Sequence, residues 1–95
     1  MPAYVIADIE VREPAGYAVY RKMAQEALTR HGGRFLMRGG HHEIFEGDWV
    51  PSRLVVLEFD SVEQAKKWWE SEEYRPAKQL RQSTAKSSML VVEGV

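Results

Sequence analysis

The stretch from Arg34 to Phe59 constrains the fold more than any other part of the chain. It reads as two extended segments, Arg34–Arg38 and Arg53–Phe59, with no helical period between them. Phe35 and Met37 share one face of the first segment, and Gly39-Gly40 marks a bend or bulge at its end. His41 to Glu46 continues as an extended arm. Glu46-Gly47-Asp48-Trp49 then turns, and Pro51 keeps the chain open until pairing resumes. The second segment is rich in Val and Leu and is the strongest strand signal in the sequence.

Each side of this centre adds a strand and a helix. Tyr4 to Val11 alternates with period two: Val5, Ala7, Ile9 and Val11 fall on one face, Tyr4, Ile6, Asp8 and Glu10 on the other. Pro14 suits a first helical turn, and Tyr20, Met23, Ala24, Ala27 and Leu28 follow at helical spacing until Gly32-Gly33 ends the run. Ser61-Val62-Glu63-Gln64 has the form of a capping box and opens a helix carrying Val62, Ala65, Trp68 and Trp69. Ser71 and Pro76 predict a kink and a second short helix containing Ala77 and Leu80. Ser83 to Ser88 reads as a polar loop, and Met89 to Glu93 as the last strand.

The order βαββαβ makes a split pair of βαβ units: a four-stranded antiparallel sheet with its helices on one face. Alternation assigns the other face Tyr4, Ile6, Asp8, Glu10, Leu36, Arg38, Leu54, Val56, Glu58, Met89, Val91 and Glu93. So much apolar sheet is poorly suited to water, and a second copy of the chain is the economical cover, giving a twofold homodimer.

Composition narrows the function classes. Ninety-five residues make one small domain, residues 1–95, with 44% hydrophobic and 28% charged residues, as in ordinary soluble proteins. The net charge is −1 with no basic stripe, which argues against a nucleic-acid partner, and no apolar run is long enough to span a bilayer. Cysteine is absent, so there is no disulfide framework and no thiolate metal site. With no signal-peptide pattern, the expected setting is cytoplasmic.

Tyr4-Val5-Ile6, Arg38-Gly39-Gly40, Glu46-Gly47-Asp48-Trp49, Pro51-Ser52-Arg53-Leu54-Val55, Glu58-Phe59, the segment from Trp68-Trp69-Glu70-Ser71 to Tyr74, Leu80-Arg81 and Val91-Val92-Glu93-Gly94 together resemble the bacterial family called domain of unknown function 1330. The resemblance covers nearly the whole chain. It implies a ferredoxin-like α+β subunit that forms a dimeric barrel. Related barrels include monooxygenases that need no cofactor, isomerases, decarboxylase-like enzymes and proteins with no shown activity. The family supplies no reaction and no catalytic residue to carry over, and His41-His42 falls where it is variable.

Several residues are candidates for a ligand site, each with a structural alternative. Arg38, at a strand end beside two glycines, suits a carboxylate or pairs with a sheet acid. Arg53 either meets Glu10 across the sheet or contacts a ligand. Asp8 and Glu58, if desolvated, gain raised pKa values and become candidate bases; the alternative is a fixed ion pair. His41, His42, Glu43, Glu46 and Asp48 are metal-ligand types, but neighbours on a strand point to opposite faces, so no metal site is assigned. His42 remains a candidate acid or base. Trp68 and Trp69 cannot both face inward, so one is core and the other lines a cleft or interface. Tyr20 and Tyr74 could offer hydroxyls to a ligand or belong to the core with Tyr17. No glycine-rich phosphate loop, nucleophile–base arrangement or cofactor motif is visible. The sequence therefore points to a small acidic or aromatic metabolite held near Arg38, His42, Arg53 and Trp68, or to a homodimer with a structural or regulatory role and no chemistry.

Overall fold

The computed structural model describes residues 1–95. Its elements run β1 (Ala3–Val11), α1 (Pro14–Arg30), β2 (Arg34–Arg38), β3 (Leu54–Phe59), α2 (Val62–Glu70), α3 (Arg75–Thr84) and β4 (Ala85–Glu93). The strands form one sheet in the order β2-β3-β1-β4, every neighbouring pair antiparallel. The helices cover one face, giving the ferredoxin-like α+β arrangement expected from the element order.

Each helix starts and stops for a local reason. α1 begins at Pro14 and ends in a Schellman motif: Gly33 N–H donates to Leu28 O at 3.0 Å and Gly32 N–H to Thr29 O at 3.2 Å. Gly32 takes a φ of +73°, where a Cβ would be strained. Ser61 caps α2, its Oγ accepting from Gln64 N–H at 3.1 Å. The other half of the expected capping box is diverted. Gln64 Nε2 donates instead to His31 O at 2.7 Å, tying the start of α2 to the end of α1. Ser71 closes α2 by donating to Trp68 O at 2.8 Å, and its Oγ accepts Tyr74 N–H at 3.1 Å, so the kink and the second helix follow as expected.

The core lies between the sheet and the helices. Val5, Ala7, Ile9, Val55, Leu57 and Phe59 point inward, against Tyr17, Tyr20, Ala24, Ala27, Leu28, Trp68, Tyr74 and Ala77. Phe59, Trp68 and Tyr74 stack in sequence, with centroids 5.3 and 4.3 Å apart.

The last strand departs from the expected pattern. The segment from Ser83 to Ser88 is not a loop: α3 runs to Thr84, and β4 starts at Ala85. Thr84 O accepts both Arg12 N–H and Glu13 N–H at 2.9 Å, which fixes the start of β4 beside the end of β1. The resulting register pairs Ile9 with Ser87, Ala7 with Met89 and Val5 with Val91. Met89, Val91 and Glu93 therefore share the helix side, and Leu90 and Val92 take the outward places.

The long connection also differs from expectation. His41 to Glu46 forms no strand. Asp8, on the outward face of β1, holds the connection to the sheet: Oδ2 accepts the Trp49 indole N–H at 3.0 Å and Oδ1 the Ser52 backbone N–H at 2.9 Å. The Trp49 bond keeps the Asp8 carboxyl below its ordinary pKa; partial burial opposes this, and backbone donors from Ser52 and Arg53 add to it. Asp8 was expected to be raised if buried, and this clamp reverses the sign.

Two outcomes follow. Ser61→Ala should destabilise the fold by about 1 kcal/mol in urea denaturation, through loss of the α2 cap. Because the folded Asp8 pKa is depressed, its contribution is present above the unfolded carboxylate value of about 3.9. It disappears as pH falls through the lower folded value. The Trp49 indole resonance should hold its bonded position from neutral pH down past about 4 and move only below that. Asp8→Asn should abolish this acid transition, whereas a transition that persists in that variant would assign it to another group.

Candidate functional site

The two faces of the sheet separate the candidate residues. The separation turns on a β-bulge in β2. Arg34 pairs with Glu58 and Phe35 with Leu57, but the next pairings are Met37 with Val56 and Arg38 with Val55, leaving Leu36 as the extra residue. The bulge reverses the alternation beyond it. Arg38 was expected on the outward face; it lies on the helix side with Phe35 and Val55, and Met37 turns outward with Val56. The Arg38 guanidinium sits 4.6 Å from the Phe35 ring centroid, a cation–π contact.

Arg53 reaches the same place from the other end of the connection. Its carbonyl accepts Ile9 N–H at 2.9 Å, extending the β1–β3 pairing by one bond. Its guanidinium lies against Gly39, where any Cβ would collide with it. Gly39 also has a φ of +71°, so both its backbone and its missing side chain make room for the arginine. Glu10 is not the partner of Arg53; it pairs with Arg12 at 3.6 Å.

Arg38 and Arg53, with Arg21 of α1, surround a depression of about 30 Å³ whose walls include Tyr17, Tyr20, Phe35 and Val55. None of these three arginines has an ion-pair partner: the arginines that do are Arg12, Arg34 and Arg75. Arg53 Nε is buried without an acceptor. Guanidinium groups gathered without acids form a field that favours an anion, and their planar donors match a carboxylate. The space takes a water-sized group, so an oxygen of a ligand fits inside while its body stays at the mouth.

Tyr20 links this depression to a buried polar chain. Its Oη lies 3.2 Å from Tyr74 Oη, and Tyr74 Oη accepts from Arg81 Nε at 3.4 Å. Arg81 Nη1 donates to Ser87 Oγ. Arg81 is only 4% exposed and Tyr74 is fully enclosed. Desolvation pushes the Tyr20 phenol well above its ordinary pKa, and the neighbouring Tyr74 adds to the shift, so Tyr20 holds its hydrogen at neutral pH. Arg81 was named in the sequence only as part of the family resemblance. Its position carried a further signal, because Tyr74, Ala77, Arg81 and Thr84 form the buried stripe of α3 and its approach.

The remaining candidates lie elsewhere. Glu58 forms an ion pair with Arg34 on the outward face, the structural alternative for that acid. Asp8 is occupied by Trp49 and Ser52, with His42 near enough to act on its charge. His42 does not line the depression formed with the arginines. His41 pairs with Glu43 at 3.1 Å, and no three His, Asp or Glu side chains converge. Trp68 is 2% exposed and built into the core stack, while Trp69 is 41% exposed with Lys78 Nζ 3.7 Å above its ring. Both line an apolar groove of about 380 Å³ between α2 and β4. The structure thus brings Tyr20, Arg38, Arg53 and Tyr74 together, sets Trp68 behind them, leaves Asp8 and Glu58 on the opposite face, and keeps His42 out of the depression.

Several solved structures share this fold. A protein of unknown function from Rhodopseudomonas palustris superimposes with a TM-score of 0.80 at 19% identity, over 99% of this chain and 82% of that one. The cofactor-independent oxygenase SnoaB from Streptomyces nogalater gives 0.69 at 10% identity, over 99% and 93%. A putative antibiotic biosynthesis monooxygenase from Nitrosomonas europaea gives 0.59 at 11% identity, over 99% and 90%. At such identities the likeness is one of fold. No functionally curated protein matches the chain at a significant level. The sequence of residues 2–95 matches the family described as domain of unknown function (DUF1330). With essentially the whole chain matched, the protein belongs to that family.

Proposed function

We propose that the protein binds a small acidic metabolite on the helix side of the sheet, its carboxylate held by Arg38 and Arg53 and its body lying across the mouth formed with Arg21 and Tyr17. The observation that carries this reading is the convergence of three arginines without an acid, one of them with a buried and unused Nε donor. A hydrogen bond to a charged group contributes about 1.5–3 kcal/mol, so either arginine matters measurably. An aromatic acid suits the mouth best, since Phe35 and Tyr17 offer ring surface beside the charge. The oxygenases among the structural neighbours are a reason to include product analysis in any ligand screen; they assign no reaction to this chain.

A second reading rests on the opposite face. Tyr4, Ile6, Leu54, Val56, Leu90 and Val92 lie on the uncovered side of the sheet, and the connection beyond β2 carries exposed Phe45, Trp49 and Val50. Apolar surface gathered on one side of a small protein is the mark of an interface. We infer a homodimer packed through this face. If the arginines bind nothing, the dimer itself is the functional unit.

A panel of carboxylic acids headed by benzoate, followed by thermal shift and NMR titration, tests the first reading. Arg38→Ala and Arg53→Ala should each weaken binding about tenfold or more, and His42→Ala, outside the wall of the depression, should leave it unchanged. Equal binding by all four proteins would remove the proposed site. Sedimentation equilibrium at micromolar concentration should give twice the 10.9 kDa chain mass. Leu90→Glu combined with Val56→Glu should shift it to the monomer; a wild-type monomer would remove the interface.

A further inference from the structure

The buried chain Arg81–Tyr74–Tyr20 has a direction. A guanidinium can only donate hydrogen bonds, so at the Arg81–Tyr74 contact the Tyr74 oxygen accepts. Tyr74 is fully enclosed, whereas Tyr20 is 8% exposed and borders the depression, so a hydroxyl hydrogen without a protein acceptor costs less on Tyr20 than on Tyr74. The two hydroxyls lie 3.2 Å apart, and the favoured arrangement has Tyr74 donating to Tyr20. Tyr20 in turn keeps a hydrogen of its own with no acceptor in the protein, since Tyr74 is its only hydrogen-bond partner. Tyr20 forms part of the wall of the depression that it shares with Arg38 and Arg53, and of a smaller apolar void of about 20 Å³ behind it.

We propose that Tyr20 is the specificity-determining donor of this site, presenting its hydroxyl hydrogen to a second acceptor oxygen of the bound acid, with Tyr74 and Arg81 as the positioning residues that fix its direction. The inference rests on the reading of the arginines as a carboxylate site and narrows the ligand class. The preferred ligand is a small acid with an acceptor oxygen beside its carboxylate, such as a 2-oxo acid, rather than one with a methylene there. One observation supports it beyond the hydrogen-bond order: Tyr20 lines the same depression as Arg38 and Arg53, and burial holds its phenol in the neutral, donating form. Ser87 completes the device by holding the other end of the Arg81 guanidinium.

The test compares phenylglyoxylate with phenylacetate, which share a ring and a carboxylate and differ at the carbon between them. By NMR titration, wild type should bind the keto acid about tenfold more tightly. Tyr20→Phe should erase that preference while keeping the affinity for phenylacetate. Tyr74→Phe, which retains the Tyr20 hydroxyl but frees its orientation, should reduce the preference without changing phenylacetate binding. A wild type that binds both acids equally, or a Tyr20→Phe variant that still prefers the keto acid, overturns the proposal. A second measurement needs no ligand. With ¹³Cζ-labelled tyrosine in mixed H₂O and D₂O, a slowly exchanging hydroxyl gives two resolved signals. Tyr74 should show them and Tyr20 should not. The reverse pattern means that Tyr20 donates to Tyr74, and the proposal falls. If neither acid binds, the carboxylate site itself is wrong, and this hydroxyl pattern still decides the direction of the chain.

Discussion

A four-stranded sheet with helices on one side depends on how firmly that side is filled. Here the filling is aromatic. Phe59 from β3, Trp68 from α2 and Tyr74 at the entry to α3 stack in contact, and all three are almost wholly enclosed. The stack joins the sheet to both C-terminal helices and sets where α3 begins. From that starting point Arg81 arrives over Ser87, and Tyr74 arrives beside Tyr20. The polar chain is thus a consequence of apolar packing: large rings bring their hydroxyl and guanidinium neighbours to fixed places, where each hydrogen bond is strengthened by the absence of water.

The order of elements was legible because each carries a strong local signal. Proline and paired glycines frame α1, a serine cap opens α2, and period-two alternation marks β1 and β3. What the alternation could not supply was register beyond an irregularity. A single extra residue in β2 carries Arg38 from one face to the other. Nothing in Arg34–Arg38 announces the bulge, since the glycines that suggested one stand after the strand. The start of β4 was hidden for a different reason. Ser87 points inward to receive Arg81, so a core-facing position carries a hydroxyl and the apolar pattern breaks.

The candidate site was half visible. Arg38, Arg53 and Tyr20 were identifiable as residues with something to offer, but their meeting depends on the bulge, on the fit of Arg53 over Gly39 and on the length of the connection between them. Asp8 was misread for the opposite reason. An acid on a sheet face suggests desolvation, yet it receives two donors from a segment 41 and 44 residues away in sequence, and sequence proximity gives no hint of such a contact. Glu58 kept its simpler role beside Arg34.

Ser52 and Arg53 are consecutive, yet they serve opposite sides of the sheet. The backbone N–H of Ser52 is fastened to Asp8 on the outward face, and the side chain of Arg53 lies among the arginines and tyrosines on the inward one. A single peptide unit, planar and stiff, separates the two attachments. The outward clamp on Asp8 therefore also anchors the backbone from which the Arg53 side chain departs, just before β3 begins.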